Sequence, residues 1–257
     1  MLQRSISAIL ALIALTSCRI SMSPLQNRMA PGEEPFAVFV ADGEAGLGDL
    51  YAIRTDGGTT VPVTYTRVSE TAPSLSPTGT ALAFIREGVT GDPTSRRVVV
   101  MNLLNGNERV IPSSDVPPDA VAWSADAAIL YIKADTEILA AAALPAGASV
   151  RTLEGLEVAR ADSAFWSLLG TPAFGRAVEC PEGGVCVLLP DGTRSVLAAD
   201  GRGGVRWGSD SVGYFVGPDF VVRPLGAGRA RELKLLPRRE NPREMTFFPG
   251  PAGRAPQ

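Results

Sequence analysis

The sequence predicts an all-β fold, a β-propeller of four-stranded antiparallel blades, most simply five with six as the alternative, closed by its two chain ends. Three observations lead there. Large residues end apolar segments at Leu75, Trp123, Trp166, Trp207 and Phe248, spaced 48, 43, 41 and 41 residues apart, and all three tryptophans of the chain fall in this repeat-core series. Glycine-containing turns at Asp56-Gly57, Asn105-Gly106, Ala146-Gly147, Asp191-Gly192 and Leu225-Gly226 mark the other half of the same period. Finally, Phe36–Val40 reads as the second strand of a blade and Met245–Phe248 as a first strand, so pairing of the C-terminal strand with the N-terminal blade closes the ring.

Within each unit the marker residue ends the first strand, a polar turn follows, and the next strand carries an aromatic: Phe84, Tyr131, Phe174 and Phe215. Core packing between blades is the preferred account of these rings, ahead of a carbohydrate platform. The alanine run Ala140–Ala143 has helix propensity, yet Ile138-Leu139 stands in the phase of Val98–Leu103, so a strand is expected there. Cys180 and Cys186 flank Pro181-Glu182-Gly183-Gly184-Val185, a reversal between strands, and a hairpin disulfide is expected in an oxidising compartment. The alternative is two buried thiols; a metal site would need more ligands.

The N-terminus indicates export. A positive end at Arg4, an apolar stretch from Ile6 to Leu15 and small residues up to Cys18 have the order of a signal peptide, too short for a permanent span. Leu15-Thr16-Ser17-Cys18 resembles the lipobox of bacterial lipoproteins, which implies lipidation, with palmitate among the acyl chains, at Cys18. A plain secretory signal is the alternative. Arg19 stands where that class carries its inner-membrane retention Asp, so the resemblance implies the outer membrane facing the periplasm, or alternatively the cell surface. The expected organisation is a signal peptide over 1–17, a lipidated Cys and flexible tether over 18–35, and a propeller over 36–253.

Chemistry is limited by composition. The 257 residues include no histidine, which removes imidazole-based triads and most catalytic zinc sites. The net charge of -3 becomes -4 once Arg4 leaves with the signal, and offers no electrostatic basis for binding nucleic acid. Asp200-Gly201-Arg202-Gly203-Gly204 precedes a strand, not a helix, so it is read as a turn and not a phosphate loop. Asp42, Glu44 and Asp49 lie among Gly43, Gly46 and Gly48, where a solvated loop is preferred to a calcium site. Arg223 to Arg243 is rich in cations, and Arg229, Arg231, Arg238, Arg239 and Arg243 form a candidate basic face toward anionic lipid or an acidic partner, against a plain solvated blade edge. No catalytic residue, cofactor or metal is assigned.

Pro73-Ser74-Leu75-Ser76-Pro77-Thr78-Gly79-Thr80-Ala81-Leu82-Ala83-Phe84 resembles the WD40-like repeat of TolB-type β-propellers, whose pattern runs Pro-x-Trp-Ser-Pro-Asp-Gly before an Ala-Phe strand. Tyr51–Gly58 looks like that family's third strand and its Asp-Gly turn. The first two units match well and the later three loosely, over roughly residues 36–253. TolB itself has six blades and an added N-terminal α/β domain, for which the short tether leaves no room, so a Tol-system role is not carried over. The expectation is a non-enzymatic, lipid-anchored envelope protein whose propeller binds a protein partner; the alternative is a small-ligand or glycan-binding propeller using its central channel.

Overall fold

A computed structural model describes residues 22–25, 28–112, 116–142, 151–153, 163–168 and 177–251. The signal segment, Cys18, Phe174 and the Ala146-Gly147 turn lie outside them. Among the described residues the strands form five sheets. Blade 1 holds β1 (Phe36–Asp42), β2 (Gly48–Arg54) and β3 (Gly57–Pro62), blade 2 holds β4 (Glu70–Leu75), β5 (Ala81–Glu87), β6 (Arg96–Asn102) and β7 (Glu108–Val110). Blade 3 holds β8 (Ala120–Trp123), β9 (Ile129–Ala134), β10 (Glu137–Ala142) and β11 (Arg151–Thr152), so the alanine run is strand through Ala142. Blade 4 holds β12 (Ala177–Glu179), β13 (Val185–Leu188) and β14 (Arg194–Ala198), and blade 5 holds β15 (Gly201–Trp207), β16 (Ser211–Val216), β17 (Asp219–Pro224) and β18 (Arg231–Leu233).

The last strand returns to the first blade. β20 (Glu240–Phe248) pairs antiparallel with β1 in the register Phe36↔Phe248, Ala37↔Phe247, Val38↔Thr246 and Phe39↔Met245, supplying the inner strand of blade 1. Before it, β19 (Leu235–Leu236) adds parallel to β3 at Gly58 and Thr59. The ring is therefore closed twice, at the inner and the outer edge of one blade. Closure leaves no strand edge of β1 open to another chain.

Burial of each blade on both faces explains the strand sequences. In β1 Phe36, Val38 and Val40 face the cluster shared with blade 2, while Ala37, Phe39 and Ala41 face the one shared with blade 5. Successive side chains point to opposite faces, so a strand packed on both sides reads as a continuous apolar run. β5 repeats the arrangement: Leu82 and Phe84 turn toward blade 1, Ala83 and Ile85 toward blade 3. Blades 4 and 5 meet through Val185, Val187, Val212 and Tyr214.

The turns after the inner strands are built alike. Ser76 and Ser124 each accept, through the hydroxyl, the N–H five residues on, from Ala81 and Ile129. The fourth residue of each turn has positive φ, Gly79 at 67° and Ala127 at 59°. Glycine is required at the first, because a Cβ on Gly79 would lie 2.5 Å from the Phe248 ring.

Two expectations are corrected. The segment around Trp166 was expected as an inner strand, but Ser163–Leu168 is a short helix. Phe165 and Leu168, three apart, fall on one side of that helix and join Tyr131 and Ile138 of blade 3, with the Phe165 and Tyr131 rings 5.6 Å apart at 73°. This i, i+3 contact favours a helical turn over an extended strand. The second correction concerns the tether. Leu25 is fully buried and Met29 nearly so, both in the core between blades 1 and 2, and Ser23 Oγ donates to the Leu103 carbonyl at 2.5 Å. Residues 28–35 continue as hydrogen-bonded turns, Met29 N to Leu25 O and Glu34 N to Ala30 O, so the stretch expected to be flexible is docked here because it carries two core side chains.

Candidate functional site

Each inner strand runs from one face of the ring to the other, and Leu75, Trp123, Trp207 and Phe248 end their strands on the same side, called here the marker face. Three of the inner strands carry an interruption at matching places. Register shifts lie between Thr71 and Ser74, between Arg202 and Val205, and opposite Phe39/Val40 in β20. Ala72, Gly203 and Glu244 adopt positive φ there, at 50°, 62° and 45°. Such bulges bend a strand and free backbone groups from the ladder. They meet around the axis: the Glu244 carboxylate accepts from Ala72 N at 2.5 Å, and a Cβ on Gly203 would touch the backbone of Arg243 and Glu244.

Two adjoining chambers follow from this arrangement. The marker-side chamber, about 550 Å³, is lined by Ser74, Leu75, Trp123, Val205, Arg206 and Met245, among others. The chamber on the opposite side, about 670 Å³, is lined by Glu179, Asp200, Arg202, Arg243 and Glu244 together with glycines. Ala177, Val178, Gly204 and Met245 border both. Ala177 and Val178 belong to β12, and Ala164 of the helix Ser163–Leu168, which stands in the sequence position of an inner strand for blade 4, also lines the marker-side chamber.

The repeat-core residues serve packing. Trp207 stacks on Phe247 at 4.6 Å and 29° and lies 4.9 Å from Phe220, with only 5% of its surface exposed. Trp123 donates its indole N–H to the Ser74 carbonyl and is buried between blades 2 and 3. Phe248 meets Phe36 edge-on at 5.8 Å, and Leu75 is buried beside them. Neither Trp123 nor Trp207 offers a ring face for stacking on a sugar; the side chain of Trp166 lies outside the described residues.

The candidate basic face is divided. Arg238 Nη2 binds Asp219 at 2.8 Å, Arg243 binds Asp42 at 3.1 Å, and the Arg239 guanidinium lies 4.2 Å above the Tyr51 ring. Arg229, in the turn before β18, and Arg231, the first residue of β18, are exposed on blade 5, which also carries Asp219, the partner of Arg238. Cations close in sequence thus go to different neighbours, since the chain crosses from blade 5 to blade 1 between them. The Cys180 and Cys186 sulfurs are bonded across the β12–β13 turn, on the face away from the markers.

The acidic loop is internally satisfied. Asp42 accepts from Arg243 and Asn241, and Asp49 Oδ1 from Thr66 N. No group of three or more potential metal-binding side chains occurs among the described residues. Next to this loop Glu70 is fully buried, with Oε1 accepting from Arg86 Nε at 2.7 Å, and Arg86 also forks onto Glu108.

Burial raises the pKa of Asp49 despite the Thr66 N–H, and it raises that of Glu70 despite the Thr64 hydroxyl and Arg86. A carboxyl raised in the folded chain supports folding fully below its unfolded pKa, and that contribution is lost as pH rises through the raised value. Asp92, Asp126 and Asp191 behave oppositely, since hydroxyls of Thr94, Ser124 and Thr193 hold them low. Their contribution is present above the ordinary carboxyl pKa and lost as pH falls through the lowered value. Asp49→Asn keeps the acceptor for Thr66 but cannot ionise. Its urea midpoint is expected to gain on wild type between about pH 4 and about pH 8. A constant difference across that range would show that burial does not raise the Asp49 carboxyl.

No protein-family model and no curated protein matches this chain. Among solved structures the chain is similar to one in the crystal structure of a nidogen/laminin complex, at 9% identity over 84% of this chain and 100% of that one, TM-score 0.47. It is also similar to the crystal structure of TolB from Acinetobacter baumannii, at 12% identity over 82% of this chain and 66% of that one, TM-score 0.36. The strand order decides the fold. The chain is a five-bladed β-propeller. The propeller's channel, bulged inner strands and two chambers are the geometry available for binding.

Proposed function

We propose that the protein is a non-enzymatic, lipid-anchored component of the bacterial envelope, at the outer membrane facing the periplasm, whose propeller presents a surface to a protein partner. The observation that supports this most is the docked N-terminal strap: Leu25, Met29 and Ser23 fasten to the ring only a few residues after Cys18, the candidate lipid site. A lipid on Cys18 would hold a rigid body at the membrane and raise its local concentration toward a partner there. Two or three acyl chains, at about 0.8 kcal/mol per buried methylene, suffice for a permanent anchor.

A second reading is favoured by the chambers, whose combined walls mix apolar groups with Arg206, Arg202 and Glu244: a small-ligand or glycan site in the channel. Metabolic labelling with a palmitate analogue, followed by affinity capture from the native envelope, separates the possibilities. Label on wild type but not on Cys18→Ala, with a partner captured, is the expected result. Equal labelling of both, or saturable glycan binding with no captured protein, would replace the first reading.

A further inference from the structure

We infer that the marker face of blades 1 and 2 is the face that rests on the membrane surface, leaving the opposite face, with the Cys180–Cys186 turn and the Asp42–Arg243 cluster, turned outward. This rests on the lipid anchor proposed above, but adds an orientation that an anchor alone does not supply.

The strap lies on the marker face along its whole described course. Ser23 is pinned to Leu103, in the turn after β6, and that turn is bonded in turn to the β4–β5 turn through Leu103 N and the Thr80 carbonyl. A Cβ on Gly106 would lie 2.5 Å from the Met22 carbonyl, and a Cβ on Gly32 would meet Thr80 Cγ2 at 2.8 Å. Phe36 then begins β1 opposite Phe248, at the marker end of blade 1. The strap therefore crosses from blade 2 to blade 1 without leaving that side.

Chain length excludes the other face. Four residues lead from Cys18 to Met22, a reach of at most about 14 Å at about 3.6 Å per residue. The seven residues of β1 span about 23 Å at about 3.3 Å each, so the anchor is too short to pass around the ring. Where the strap leaves the ring, the surface is suited to lipid. Met22 and Leu104 are 56% and 55% exposed there, and Arg28 lies exposed along the strap near the Asp56-Gly57 turn. Apolar side chains flanked by a cation are the composition of an interfacial contact.

The test uses full-length protein purified from membranes and reconstituted into vesicles containing headgroup-quencher lipid. Leu104→Cys on the marker face and Thr136→Cys in the β9–β10 turn on the opposite face are each labelled with a fluorophore. Mass spectrometry of the N-terminal peptide reports the acyl state of Cys18 in the same samples. With Cys18 acylated, quenching at 104 is expected to exceed that at 136 several-fold. Equal quenching, or more at 136, on acylated protein would overturn the orientation while leaving the anchor standing. An unmodified Cys18 would overturn the anchor, and the orientation with it. Met22→Ser, which does not touch the core, should lower quenching at 104 and leave the acyl state unchanged; no change in quenching would remove Met22 from the lipid contact.

Discussion

Chains ending at Pro237, and so lacking β20, are expected not to fold as monomers. β20 is the inner strand of blade 1 and the register partner of β1 from Phe36 to Val40. Its removal exposes an edge whose residues are buried from Phe36 to Ala41. It also removes Phe248 from the core between blades 1 and 2, and Met245 and Phe247 from the packing between blades 1 and 5. Burial of large apolar side chains contributes about 1.5–3 kcal/mol each when complete, so the three together, two of them only partly buried, supply roughly 4–6 kcal/mol. Against a typical domain stability of about 5–15 kcal/mol, and with ladder hydrogen bonds lost as well, little net stability remains. Size-exclusion chromatography and far-UV circular dichroism of the shortened chain check this. A monomer with the wild-type thermal midpoint would show that β20 does not close the ring. Addition of a synthetic peptide covering 238–251 should restore folding, because the vacated edge is a template for one strand.

Trp207→Ala is expected to cost about 3–5 kcal/mol, the range for truncating a large aromatic in a core. The indole sits where three strands meet: stacked on Phe247 of β20, tilted against Phe220 of β17, and facing Gly213 of β16. A Cβ on Gly213 would come within 2.9 Å of the indole and 2.7 Å of Phe220, so the neighbouring strand has been emptied of side chain to receive the ring. Such a site relaxes little when the ring is removed. Trp207→Phe, which retains a ring against Phe247, should recover part of the loss, since an aromatic pair is worth about 0.5–1.5 kcal/mol beyond its buried area. Urea denaturation followed by circular dichroism reads both variants, and a loss below about 1 kcal/mol for the alanine variant would contradict a packing role. Had Trp207 been a sugar platform, the variant would instead lose glycan binding at unchanged stability.

Much of the architecture was legible because it is periodic. The marker residues Leu75, Trp123, Trp207 and Phe248 recur since each inner strand ends in a wedge between blades that a large apolar side chain must fill. The closing pair was readable for a similar reason, Phe36–Val40 lacking a strand before it and Met245–Phe248 a strand after it, whereas its register was not. Trp166 shares the spacing of the markers but lies in the helix Ser163–Leu168 instead of a strand. Phe165 and Leu168 find blade 3 from a helical turn, and period alone does not distinguish the two. The channel was anticipated, whereas its bulges were not. A positive φ at Ala72 or Glu244 carries no sequence signal, and only the approach of Glu244 to the Ala72 N–H accounts for it.

The sequence by itself determined the period, the strand order within the blades, the closure of the ring by its ends, and the absence of imidazole chemistry from a chain with no histidine. These depend on residue type and spacing, which are local properties. The tertiary structure alone decided that residues 22–25 and 28–35 are docked, that β19 staples the outer edge of blade 1, and that neighbouring arginines serve different partners. Each of these is a contact between residues far apart in the chain: Ser23 with Leu103, Leu235 with Gly58, Arg243 with Asp42. Their free energy belongs to the pair and not to either residue, so it is expressed only when the ring brings both together.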